Sequence, residues 1–308
     1  MQAFWVKYPG LERRLEELAA LVDEMASESL RKYQRGADIM VLPEVAVTGE
    51  LTGDIVAGSV PLEGPVKDTF ARKARQHRCY IVVPLYLLED KAKRLCSNAA
   101  VLVGRHGEIA GIYRKVHLAV QTGSDSLEGG MTPGKQAPVF ECDFGKLGIQ
   151  ICFDIEFDDG WDQLSRRGAE LVVWPTQSPQ TVHPAARAAR GGYWIVSSTW
   201  RHNASVFEPT GKIASQIRPP ARVLVQDLDL SYAILPWSPM LKNGAALARK
   251  YGAKAGFRYY EDEDCGLFWS NDPGITIGGM IRSIGVRPAA AELERIRDLY
   301  RKAGVPGY

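Results

Sequence analysis

Short apolar runs that stop abruptly at a proline or a polar cluster recur along this chain, with stretches of helical periodicity between them. No other feature restricts the possible folds as strongly. Leu11, Leu15, Leu18, Val22 and Met25 fall at helical spacing with Glu and Arg between them, the mark of an amphipathic helix packed on a core. Gly36 breaks that pattern, and residues 38–42 (DIMVL) read as a short buried strand stopped by Pro43. A helix is predicted over 66–77, strands over 79–87 and 98–103, a turn at His106-Gly107 and a returning strand over 109–113. Strands over 140–144 and 147–153 flank a turn at Gly145-Lys146. A helix around 160–167, a strand over 171–174 stopped by Pro175, a helix over 184–190 and a strand over 193–198 follow. A hairpin pairs 205–208 with 213–216 across Pro209-Thr210-Gly211, and 223–230 reads as a strand. Helices alternating with strands, with hairpins interspersed, predict an α/β protein with a mixed sheet or two packed sheets. Beyond Ser231 the periodicity is poor and Gly-rich until a last helix over 290–300, with Leu293, Ile296 and Tyr300 on one face. No internal repeat interrupts this order. The simplest division is a domain over 1–230 and a C-terminal extension over 231–308, packed on that domain or on a partner subunit.

Composition closes off other classes. Hydrophobic residues make up 45% and charged residues 24% of 308, which excludes disordered, collagen-like and coiled-coil chains. A formal charge of +2, from 38 basic and 36 acidic residues, provides no field to attract nucleic acid or an anionic membrane. The longest apolar run, residues 81–88 (IVVPLYLL), falls well short of the about 20 residues that span a bilayer. The opening MQAFWVKYPGLERR holds no apolar signal core, so a cytoplasmic setting is expected. Cys79, Cys96, Cys142, Cys152 and Cys265 are odd in number and scattered, with neither a disulfide framework nor metal-binding spacing. His183 and His202 form no H-x-x-x-H pair. Gly129-Gly130 and Gly191-Gly192 lack phosphate-loop spacing. No metal and no cofactor is therefore expected.

Three segments carry chemistry. Cys152 stands at the end of an apolar strand (GIQICFD) that opens into polar residues, where binding crevices form in α/β sheets. A free thiol ionises only slightly at neutral pH and needs help to attack. Glu44 follows VLP, where desolvation beside a hydrophobic strand suits a general base. Lys115 lies in YRKVHL, a strand end that turns basic. Glu44 is placed to take the thiol proton and Lys115 to favour the anion. Lys115 and the backbone N–H of Phe153 could hold the oxyanion of a tetrahedral intermediate. His117 either orients Lys115 or serves as a structural hydrogen-bond partner. Asp154, Glu156, Asp158 and Asp159 lack calcium-loop spacing and read as solvated loop acids, with Asp158 and Asp159 at a helix N-terminus.

The order VLPE, YRKVHL, GIQICFD resembles the nitrilase superfamily of carbon–nitrogen hydrolases. The likeness extends to CSNAAVLVGRHGEIAGIYRKVHL before the lysine, TPGKQAPVFECDFGKLGIQICFD before the cysteine, RRGAELVVWPT after it, and SVFEPTGKIASQ with ARVLVQDLDL toward the end, covering roughly residues 11 to 230. It implies a four-layer α-β-β-α sandwich, Glu44 as general base, Lys115 as transition-state stabiliser and Cys152 as nucleophile. It also implies a second glutamate between Lys and Cys. Glu128 in SLEGGMTPG fits best, with Asp125 as the alternative. Phe153, His117 and Trp174 complete the expected oxyanion and substrate-binding set.

Two departures stand out. A first strand should precede the first helix, but only MQAFWVKYPG is there, so that strand is short and irregular or the sequence starts inside a longer chain. Family members often carry Pro-Glu about six residues past the cysteine, where this chain has Asp158-Asp159-Gly160. Cys152-Phe153-Asp154 looks like amide-cleaving branches, whereas nitrile-cleaving members more typically show Cys-Trp-Glu. The resemblance thus implies hydrolysis of a small amide or N-carbamoyl substrate. Alternatives are a nitrilase, an amide acyltransferase, or a silent binding or assembly protein. The aromatic-rich tail, with Trp237, Phe257, Tyr259, Tyr260, Phe268 and Trp269, and the family habit of crossing C-terminal arms point to a homo-oligomer, dimer or higher.

Overall fold

A computed structural model describes residues 8–49, 53–120, 123 and 125–307. The chain forms two compact units, Met1–Asp227 and Leu228–Tyr308. The strand looked for in MQAFWVKYPG falls mostly outside the described residues, and residues 8–10 are irregular.

In the first unit, α1 (Leu11–Tyr33) buries Leu15, Leu18, Leu21 and Val22, the stripe its periodicity predicts. β1 (Ile39–Val41) follows, then the single turn α2 (Ile55–Gly58) and α3 (Pro65–His77). α3 starts at proline, which fits a first helical turn that needs no N–H donor. Its Val66, Phe70 and Ala74 join the α1 stripe over β1, β2 (Tyr80–Asp90) and β3 (Leu95–Val103). Each fully buried Leu, Val or Phe in that layer contributes about 1.5–3 kcal/mol. Asp23 ties the two helices together, accepting Lys73 Nζ at 2.6 Å and His77 Nε2 at 2.7 Å. With β4 (Ile109–Arg114), the first sheet runs β1-β2-β3-β4, parallel only between β1 and β2.

The second sheet uses β5 (Val139–Cys142), β6 (Gly145–Ile149), β7 (Leu171–Thr176), β8 (Trp194–Thr199), β9 (Ser205–Phe207) and β10 (Ile213–Gln216). Its order is β10-β9-β8-β7-β6-β5, with β6, β7 and β8 parallel and the edges antiparallel. α4 (Asp159–Arg166) and α5 (Val182–Gly191) follow β6 and β7 and pack against each other, burying Trp161, Leu164 and Ala188. Leu164 lies so close to Gly148 of β6 that a Cβ there would sit 2.8 Å from it. The sheets meet between the helical layers. Ser198 Oγ donates to Val41 O at 2.8 Å, and the Phe140 ring covers Gly111, where a Cβ would come within 2.2 Å of ring carbon. The unit is an α-β-β-α sandwich.

The second unit has its own sheet, β11-β13-β12, from β11 (Tyr232–Pro236), β12 (Ala255–Tyr260) and β13 (Cys265–Ser270). α6 (Ala245–Tyr251) and α7 (Ile277–Arg282) contribute Leu247, Ile277, Met280 and Ile281 to a core with Leu235 and Phe268. α8 (Ala289–Lys302) follows and has no buried residue; Leu293 and Tyr300 of its apolar face are exposed.

The structure corrects several expectations. Residues 223–230 are not a strand. Side chains meet two of their carbonyls instead of a ladder, Lys32 Nζ donating to Val225 O at 2.8 Å and Gln226 Nε2 to Asp227 O at 3.0 Å, and the Asp227 carboxylate pairs with Arg35. Gly145 and Lys146 belong to β6, and the turn is at Asp143-Phe144. Pro175 does not stop β7, which continues to Thr176. The strand before the cysteine ends at Ile149, because Cys152 turns the chain into a 3-10 helix over Cys152–Glu156.

Candidate active site

The site grows from the places where strands of the two sheets end. Leu42 N–H still bonds to Val82 O after β1, and the chain then folds into a tight turn at Pro43-Glu44. Ala46 N–H returns to Pro43 O at 3.1 Å and Trp200 Nε1 donates to Glu44 O at 2.6 Å, so the Glu44 backbone is fixed from both sheets. Val45 has φ +50°, costly for a β-branched residue and the kind of strain that concentrates at functional sites. Lys115 follows β4; its N–H bonds to Asn98 O and its O accepts Gly134 N–H, both at 2.8 Å. Gly134 is required there, since a Cβ would lie 2.1 Å from Arg114 O.

Glu44, Lys115 and Glu128 meet in the interior. Lys115 Nζ donates to Glu44 Oε1 and Glu128 Oε2, both at 2.9 Å, with Lys115 and Glu44 each 1% exposed. Burial by itself would lower the lysine pKa, but Glu44, Glu128 and Cys152 outweigh it, and the ammonium is held well above its ordinary value. Burial raises the Glu128 carboxyl, with Lys115 opposing and Glu44 adding to it. Glu128 itself sits at φ +39°, with its N–H on Ala119 O. Asn98 Nδ2 bridges the two glutamates, 2.9 Å from Glu44 Oε1 and 2.5 Å from Glu128 Oε1. Glu44 Oε2 and Asn98 Oδ1 are buried without a hydrogen-bond partner among the described residues. Asp125 is exposed on the Glu128 loop.

Cys152 stands at the turn with φ +41°, strained for an L-residue. Its carbonyl accepts Trp174 Nε1 at 3.1 Å, so Trp174 grips the cysteine backbone from β7. The thiol faces the Thr176 hydroxyl and the Gln177 N–H and lies in the fields of Glu44 and Lys115. Burial first, then the Glu44 charge, pushes it up to about 12, while Lys115 pulls it down. The resting thiol therefore keeps its proton at neutral pH.

Phe153 is partly exposed beside the thiol, edge-on to Phe157 at 5.8 Å. Phe157 stacks on the His117 ring at 4.0 Å. The ring nitrogens of His117 face Asp154 at 3.1 Å and Asp159 at 3.3 Å, and not Lys115. Hydrogen bonding to Asp154 raises the His117 pKa against its burial.

The acidic cluster needs correction. Asp154 is no solvated loop acid; it is fully buried (0%) and accepts Tyr113 Oη, Ile151 N–H and His117. Asp158 pairs with Arg187 and Arg190. Asn98, Asp154 and Tyr86 are the residues that sequence reasoning missed. Tyr86 packs with Val45, Leu118 and Met131, and burial followed by the Glu128 and Glu44 charges raises its phenol pKa. For Asn98 the available signal was a polar residue opening an otherwise apolar strand. No group of three or more His, Cys, Asp or Glu able to hold a metal occurs among the described residues. No helix among them is long and apolar enough to cross a membrane.

The α-β-β-α sandwich thus holds a buried Glu-Lys-Glu cluster beside a strained cysteine. Residues 6–235 match the carbon–nitrogen hydrolase family, and the chain belongs to that family. It is 25% identical over 249 residues to the omega-amidase NIT2 of Xenopus tropicalis, covering 71% of this chain and 89% of that protein. It is 26% identical over 172 residues to a probable nitrilase of Schizosaccharomyces pombe, covering 55% of this chain and 60% of that one. A nitrilase-superfamily amidase of Nesterenkonia AN1, solved as a cysteine-to-alanine variant with butyramide, shares the fold with a TM-score of 0.58 and 20% identity over 69% of this chain and 83% of that chain.

Proposed function

We propose that the protein hydrolyses the C–N bond of a small amide or N-carbamoyl compound through a thioester on Cys152. The observation that carries this reading is the buried Lys115 ammonium, 2.9 Å from both Glu44 and Glu128, in the field of a thiol that is still protonated. Glu44 Oε1 is occupied by Lys115 and Asn98, which leaves Oε2 to receive a proton. As Cys152 Sγ bonds to the substrate carbonyl carbon, the thiol proton passes to Glu44. The negative charge arising on the carbonyl oxygen is met by Lys115 and the Phe153 N–H, a type of contact worth about 3–4 kcal/mol in the transition state. Collapse breaks the C–N bond, and the amine or ammonia leaves with the proton from Glu44. Water, giving a proton to Glu44, attacks the thioester carbonyl; the acid leaves, and the proton returns to sulfur. Glu128 and Asn98 keep Lys115 and Glu44 in register. The amidase name of a relative that the chain matches over 89% of its length favours an amide over a nitrile.

The test is release of ammonia or amine from a panel of aliphatic amides, carbamoyl compounds and nitriles, with wild type beside Cys152→Ala. Turnover of an amide or carbamoyl compound by wild type alone is expected. Acid produced only from nitriles, or equal release by both proteins, would overturn the proposal.

A further inference from the structure

Asp154, unlike its neighbours Asp158 and Asp159, is shut away from water. Its carboxylate accepts four hydrogen bonds, as many as its lone pairs accommodate. Oδ2 takes the Tyr113 hydroxyl at 2.7 Å and the Ile151 N–H at 2.9 Å. Oδ1 takes the His117 N–H at 2.9 Å and His117 Nδ1 at 3.1 Å. Tyr113 and His117 stand two residues to either side of Lys115, and Ile151 immediately precedes Cys152. The backbone of Asp154 is itself held, its N–H on Ile151 O at 3.0 Å and its carbonyl accepting Trp161 Nε1 at 2.9 Å.

These bonds join parts that no β-ladder joins. Lys115 continues from β4 of the first sheet, and Cys152 follows β6 of the second. Each sheet fixes its own strands, so the separation of ammonium and thiol depends on what ties the two strand ends together. We infer that Asp154 is a positioning residue that locks the Lys115 segment to the Cys152 turn and so sets the distance between lysine and nucleophile. The inference rests on the proposed roles of Lys115 and Cys152. A misplacement of about 1 Å between reacting groups can cost about 100-fold in rate. Tyr113 and Ile151 are fully buried, so their two donors have no water to replace the carboxylate, and its loss must be met by movement of the segments.

Two variants test it. Asp154→Asn keeps the shape but presents an amide N–H₂ to donors, and Tyr113→Phe removes the hydroxyl that joins Asp154 to the Val116 N–H beside Lys115. Both are measured for kcat and KM on a substrate found in the panel, and for the rate at which iodoacetamide alkylates Cys152 at pH 8. The expected result is a kcat lowered about 100-fold in Asp154→Asn and about 10-fold in Tyr113→Phe, with KM within about threefold. Alkylation should slow in both, because the ammonium no longer lies where it favours the thiolate. Wild-type kcat and alkylation rate in the folded variants, or a change in KM alone, would overturn the inference. Should Asp154→Asn not fold, Tyr113→Phe decides. Alkylation needs no substrate turnover, so slowed alkylation with a wild type that hydrolyses nothing would reject the proposed function and leave the positioning role standing.

Discussion

Lys115 is a buried cation whose counter-charges are also buried, and that couples activity to stability at a single residue. Lys115→Met should lower turnover by about 100- to 1,000-fold, the usual effect of losing one oxyanion donor. It should also destabilise the fold by about 3–5 kcal/mol, because Glu44 and Glu128 stay in the interior without their partner. The pH dependence has a definite sign. Burial already raises the Glu128 carboxyl with the lysine present, and removing the lysine removes the influence that lowers it. The folded variant then binds a proton more tightly than the unfolded chain, where glutamate titrates near about 4.3. Its stability is therefore greatest in acid and is lost as pH rises through the folded value. Melting curves from pH 5 to 8 should show the gap to wild type widening; a constant gap would show that Glu128 does not depend on Lys115. Cys152 gives a second check. With the thiol pushed up to about 12, alkylation of the Cys152 peptide, followed by mass spectrometry, should speed up about tenfold per pH unit from 7 to 10. A plateau below pH 9 would mean that the thiolate already exists at rest.

Elements bring these residues together through close approaches that leave no spare volume. Gly111 of β4 lies under the Phe140 ring of β5, and β4 runs directly into Lys115. Gly111→Ala should cost about 1–3 kcal/mol by overpacking, and Phe140→Leu should restore part of it in the double variant. Chemical denaturation of the four proteins of that cycle checks this, and additive effects would show that the contact is not the cause. Elements with a strong local signal were legible in the sequence: the α1 stripe, the α3 helix and the apolar β2, β7 and β8 runs all follow periodicity or unbroken hydrophobicity. Residues 223–230 alternate like a strand, yet their carbonyls bond to side chains such as Lys32, and alternation alone does not reveal which partner a backbone finds. The candidate residues Glu44, Lys115 and Cys152 could be singled out in the sequence because each stands where an apolar run gives way to polar residues. Asn98 and Asp154 were not, because their roles lie in contacts 54 and 41 positions away along the chain.

At the scale of the whole molecule, each unit has a hydrophobic core of its own, and the residues of the candidate site all belong to the unit that ends at Asp227. Between the last strand of that unit, β10, and the first strand of the next, β11, the backbone makes no ladder hydrogen bonds, and residues 218–222 are exposed. Proteases need an extended, accessible segment free of such bonds, and the exposed hairpin tip at 91–94 lacks that freedom because β2 and β3 pair on both sides of it. Arg218 is protected from trypsin by the following Pro219, so early cleavage should fall after Arg222. Some trimming within α8 should accompany it, since that helix has no buried residue. Brief tryptic digestion should thus leave one fragment ending at residue 222 and a second beginning at Val223 that has lost part of α8. Each should resist further digestion because, apart from Val223, the residues of each core lie on their own side of the cut. Alkylation of Cys152 in the nicked protein should proceed at the rate of the intact chain, since the Glu-Lys-Glu cluster, Asn98, Asp154 and their strands all precede the cut. Early fragments cut inside β2, β3 or β7, or rapid loss of the 223–287 region, would contradict the division into two independently cored units.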